Sequence, residues 1–232
     1  MIDEAHPLTD RRLRTPRAAA VAGILFSVLL STGYILIRIS IPADPSDGGV
    51  WLEERAGTVA LALSMVPIAG IAFLWFIGVV RDRIGAFEDR FFSSVFFGSG
   101  LLYLGMTFVS AALAGGLLAA YGVEAEKLFA SGVYTFARGV MWRVTNIYAL
   151  RMSSVFMFSL GTIWVRTRTM PRWLAFLTYG LALILLVSTG LSLWVTLIFP
   201  IWVLIISVYI LVLNLRTRGT ADGLSVTAES QP

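Results

Sequence analysis

The 232 residues contain no cysteine and one histidine, His6. Without cysteine there is no disulfide framework, no thiolate nucleophile and no cysteine-held zinc or iron–sulfur centre. A lone histidine in a polar N-terminal stretch excludes paired-histidine haem ligation and a histidine-rich metal site, and it argues against a serine–histidine dyad within a membrane. Charge is scarce as well, at 14% of residues against about 25% in ordinary soluble domains. The sequence carries no phosphate-binding loop, dinucleotide fingerprint, zinc-protease motif or nucleophile elbow, so ATP use, NAD chemistry and hydrolysis lack a motif. The expectation is a protein that is not an enzyme, with no metal site and no cofactor.

Apolar side chains are abundant: 57% of residues are hydrophobic and the mean hydropathy is +0.82. A helix of about 20 apolar residues crosses the roughly 30 Å hydrocarbon layer with its backbone groups paired. Six runs fit, at 18–41, 56–80, 92–121, 146–165, 173–195 and 197–215. The expected fold is all-α, a polytopic six-span transmembrane bundle over residues 11–218, with polar disordered tails at 1–10 and 219–232. Pro67 should kink the second span. The long third span should tilt or fray at Gly115-Gly116. Helical pattern in the fourth reaches back to about Val133. A cleaved secretory signal fits the first run poorly, because signal cores are only about 7 to 15 residues long. No internal repeat supports an inverted-repeat transporter plan.

Arginine and lysine collect on the cytoplasmic side of short loops. With both ends inside, twelve of the eighteen basic residues fall on inner segments, including Arg81, Arg166, Arg168, Arg172 and Arg216. The other six are Arg38, Arg55, Lys127, Arg138, Arg143 and Arg151, in outer loops or the outer halves of spans. The tryptophans should mark headgroup levels, with Trp51, Trp142, Trp194 and Trp202 outside and Trp75, Trp164 and Trp173 inside. The basic balance needs no nucleic acid partner, since topology accounts for it.

The fourth span carries the most informative polar pattern. On a regular helix Arg143, Asn146, Arg151, Ser153, Ser154 and Gly161 share one arc of about 160°. Arg151 would lie roughly 9 Å below the outer boundary, within snorkelling reach. None of the fourteen acids lies inside a span. Its five donors must therefore meet a loop acid, hydroxyls and carbonyls, water, or an anion from outside the chain. Arg143, Asn146 and Arg151, with Arg38, form a candidate site for an anion or lipid headgroup; the competing reading is an arginine that snorkels and cements the bundle. The lack of intramembrane acids also weakens proton- or sodium-coupled transport.

Small residues recur every fourth position in the first span (Ala19, Gly23, Ser27, Ser31) and the third (Ala112, Gly116, Ala120). They suit packing within the chain, or a homo-oligomer or contact with another membrane protein. The inner connection 81–90 balances three arginines against three acids and makes a poor patch for anionic lipid.

At Thr167-Arg168-Thr169-Met170-Pro171-Arg172-Trp173-Leu174-Ala175 the chain resembles a loose group of uncharacterised bacterial six-helix integral membrane proteins, many of them actinobacterial. The Pro-Arg-Trp-Leu-Ala string has a local logic: proline opens a helix, arginine meets headgroups and tryptophan sits at the interface. Seventeen arginines to one lysine fit a GC-rich bacterial genome. The resemblance implies the bacterial cytoplasmic membrane and carries over no site residue. Two functions are expected from the residues: a non-enzymatic accessory or lipid-associated bundle with membrane lipids as partners, or a small permease or lipid transporter whose fourth-span face contacts an anionic substrate.

Overall fold

The computed structural model describes residues 15–42, 44, 48–84, 90–168, 170–188 and 193–229, and the regular elements among them are all helical. Helix α1 is Thr15–Ser40, α2 is Trp51–Glu54, α3 is Ala56–Ile84 and α4 is Arg90–Ala130. Helix α5, Val133–Arg143, passes through a π-helical segment, Val144–Ala149, into α6, Leu150–Thr167. Helix α7 is Arg172–Val187, and a 3-10 turn, Leu193–Leu197, leads into α8, Ile198–Glu229.

Five stretches are long and apolar enough to cross a membrane: Ala18–Ser40, Ala56–Arg81, Phe91–Ala130, Val133–Thr167 and Trp194–Leu213. Helix α7, within the run expected as a span at 173–195, is apolar but has only 16 residues and is not among the five. Ser188 takes an extended conformation (φ −67°, ψ 97°) that stops the helix, and the apolar run continues as the 3-10 turn instead. Helix α4 runs unbroken through Gly115-Gly116 and is interrupted at Glu124 (φ −156°, ψ 74°). Helix α3 continues through Pro67. The fourth stretch does begin at Val133, after a left-handed Gly132 (φ 73°). Helix α8 stays helical to Glu229, where a disordered tail from 219 was expected. The expected tail at 1–10 lies outside the described residues, as do residues 85–89 of the 81–90 connection.

Helix α1 packs between α3 and α8, α4 bridges α3 and α6, and α7 leans mainly on α6. Phe73 on α3 is fully buried at the hub of the aromatic core. Its ring lies 4.4 Å from Phe26, 5.6 Å from Phe156, 5.7 Å from Phe199 and 5.8 Å from Tyr103. Lipid offers no hydrophobic drive for helix association, so contacts of this kind supply the cohesion. The α1 stripe is spent inside the chain, with Ala19 and Ser27 buried and Gly23 pressed against Ser207 and Phe76. On α4, Ala112 and Gly116 face outward.

Outward-facing side chains are strongly apolar, among them Val21, Leu25, Ile71, Phe176, Leu183 and Val187. A water-facing surface would not carry so many. The tryptophans divide. Trp75, Trp173 and Trp194 are exposed, but Trp51, Trp164 and Trp202 are buried. A buried indole needs an acceptor. Trp202 Nε1 donates to Thr178 Oγ1 at 2.9 Å and Trp51 Nε1 to Tyr134 Oη at 2.9 Å, so these two lock helices together and do not serve as an interfacial belt.

Candidate functional site

A second, smaller apolar cluster closes the end of the bundle where α1 hands over to α3 and α4 to α5. It holds Ile41, Trp51, Leu52, Val59, Leu128 and Tyr134, among others. Gly49 (φ 75°) is needed there: a Cβ would stand 2.6 Å from the Phe129 ring, which itself packs 5.0 Å from Tyr134. Between this cap and the main core lies a polar layer.

The layer is built from three elements. Helix α1 presents Arg38 in its last turn, where a cation favours the carbonyl end of a helix. Helix α5 presents Arg138, which is 5% exposed. Its Nη2 donates to the carbonyl oxygens of Pro42 at 2.8 Å and Asp44 at 3.3 Å, and the guanidinium lies 6.0 Å from the Trp51 ring centroid. The π-helical segment presents Thr145 and Asn146. Thr145 Oγ1 donates to Ser110 Oγ on α4 at 2.8 Å. Asn146 Nδ2 donates to the Trp142 carbonyl at 2.9 Å, which leaves Oδ1 to accept from Arg38 Nη2 at 3.3 Å.

These groups line a cavity of about 80 Å³ with Tyr34, Thr107, Ser110 and apolar neighbours such as Ile37, Val66 and Met141. That is room for several waters or one compact anionic group. Deeper in, the Tyr34 and Tyr103 hydroxyls meet at 3.3 Å. No carboxylate lines the cavity among the described residues. Two guanidinium groups facing one low-dielectric space repel each other, and a phosphate or carboxylate between them would relieve that repulsion. Two acids of neighbouring segments are engaged in other contacts: Glu53 accepts from Tyr121 Oη at 3.3 Å and Glu124 pairs with Lys127.

Of the four residues chosen from sequence, Arg38 and Asn146 come together at this cavity. Arg143 is exposed and Arg151 half-buried, and neither lines it. Arg151 Nη1 donates to the Ile147 carbonyl in the preceding π-helical segment at 3.2 Å. The arc drawn for a regular helix is broken by the π-helical segment, whose wider i→i+5 turn takes about one extra residue and rotates everything after it. Arg138 lines the cavity although the sequence pattern of the fourth stretch does not single it out. The available signal was its position ahead of Arg143 on a helix that begins at Val133. Compared with family models, with curated proteins and with solved structures, the chain matches none.

Proposed function

We propose that the chain crosses a bacterial cytoplasmic membrane six times with both ends inside, and that it works by association with lipid and not by catalysis. In this reading α7 is the fifth crossing, and the capped cavity lies toward the outer face. The bias of twelve basic residues to six supports that orientation. Reporters fused ahead of Arg11 and after Arg218 are expected to locate to the same, inner, side; opposite sides would refute the topology.

The observation that carries the function is the cavity itself, a space that joins Arg38, Asn146 and Arg138 with no acid in its lining among the described residues. Such a site suits the phosphate or carboxylate of a membrane lipid whose chains lie along the apolar exterior. Arg38 is the ligand-facing cation and Arg138 holds the cap over it. Lipid extracted from protein purified in mild detergent provides the test. Arg38→Ala is expected to lower retained anionic lipid about tenfold, the value of one charge-assisted contact. Equal retention by both proteins would end this proposal.

A second reading, a small permease for anions, is favoured by the π-helical segment at the cavity wall, since such segments recur at functional sites. It requires anion uptake into liposomes that Arg38→Ala abolishes.

A further inference from the structure

At the opposite end of α6, where the chain turns into α7, lies a larger hollow. It measures about 480 Å³, and its lining includes Trp164, Val165, Arg168, Arg172, Phe176 and Tyr179. Its floor is firm. Tyr179 Oη meets Thr162 Oγ1 at 3.0 Å, and a Cβ on Gly161 would stand 3.3 Å from the same ring. The two helices therefore pack closely just beyond the hollow and part to form it. Its rim is open on the apolar exterior, with Val165 and Phe176 exposed there.

Arg168 is the key residue. It is the only non-glycine residue with positive φ among those described (φ 52°, ψ 26°). A left-handed residue just past a helix end is ordinarily glycine, because a side chain there is strained. A cation at the carbonyl end of α6 is favoured by the helix dipole. Arg166, in the last turn and stacked 4.8 Å from the Phe92 ring centroid, already supplies one. The strained position carries an arginine nonetheless, and Arg168 lines the hollow together with Arg172, both of them exposed.

We infer that this hollow seats one acidic phospholipid, with its phosphate against Arg168 and Arg172 and the start of an acyl chain along Val165 and Phe176. The wall is apolar, so a fully soluble anion would leave most of it uncovered. The lining holds no carboxylate among the described residues, so a zwitterionic headgroup would find no partner for its ammonium. Arginine suits the phosphate, which it can grip through two parallel hydrogen bonds. The volume falls within the range of sites that enclose small ligands. This inference needs a surrounding bilayer, but neither the orientation nor the cavity beside Arg38.

Tryptophan quenching provides the test, because Trp164 lines the hollow and Trp173 adjoins it. The full chain is placed in lipid nanodiscs with brominated phosphatidylglycerol or brominated phosphatidylcholine. The wild type should show a marked preference for the acidic lipid. Arg168→Gly keeps the left-handed turn at no conformational cost and is expected to reduce that preference about tenfold, as is Arg172→Gln. Arg55→Gln, which removes an exposed arginine at the far end, should leave it intact. The inference is overturned if Arg168→Gly and Arg172→Gln retain the wild-type preference, if Arg55→Gln lowers it equally, or if glycerol phosphate competes as well as the lipid does.

Discussion

Gly23→Val is expected to destabilise the bundle by about 3 kcal/mol, the upper part of the usual range for overpacking, and to lower the unfolding temperature in detergent by several degrees. Even a Cβ at this position would overlap Ser207 Oγ and stand 2.9 Å from the Phe76 ring. Ser207 can rotate its hydroxyl, but its Cβ would remain 3.1 Å away and Phe76 is fully buried. Helix α1 must then move off both α3 and α8, its two main neighbours. Gly105→Ala, where an added Cβ meets nothing within 4 Å, is the control and should change little. Gly23→Ala combined with Ser207→Ala should recover part of the loss seen for Gly23→Ala alone. No recovery would show that the close approach of α1 and α8 is not what glycine permits here.

Arg138→Ala should have a comparable effect of about 3 kcal/mol, but confined to the cap. The substitution removes a charged donor from the carbonyls of Pro42 and Asp44 and leaves those acceptors with one partner fewer. It also takes away the guanidinium beside Trp51, whose indole is tied to Tyr134. The cap cluster should loosen while the aromatic core around Phe73 holds. Limited proteolysis would then cut the 41–50 connection faster, with little change in the remaining pattern. Arg143→Ala, which removes an exposed arginine at the end of the same helix, should stay within about 0.5 kcal/mol of the wild type. Equal sensitivity to protease in both variants would remove Arg138 from its proposed role.

Apolar run length located most of the helices, because a bilayer demands length before anything else. It placed α1, α3 and α4 and found the long fourth stretch back to Val133. It failed at α7. Hydropathy averages side chains and takes no account of backbone continuity, so the leucines and valines on either side of Ser188 read as one run. The site was half legible. Arg38 and Asn146 stood out as polar residues in apolar surroundings, and they do meet. The π-helical segment carries no sequence signature, so a wheel turned at a constant angle grouped Arg143 and Arg151 with Asn146. Arg138 carries no such signal, because α5 reads as an ordinary interfacial helix and the worth of this arginine depends on loop carbonyls that no pattern of side chains reveals.

The shortness of α7 matters beyond the topology. At 16 residues it covers only about 24 Å, some 6 Å less than the hydrocarbon thickness of an average bilayer. As the fifth crossing, it would pull the lipid beside it thin on one flank of the molecule while the longer helices opposite do not. Such an uneven collar costs fractions of a kcal/mol per Å. The protein would then drift toward patches of membrane rich in shorter acyl chains.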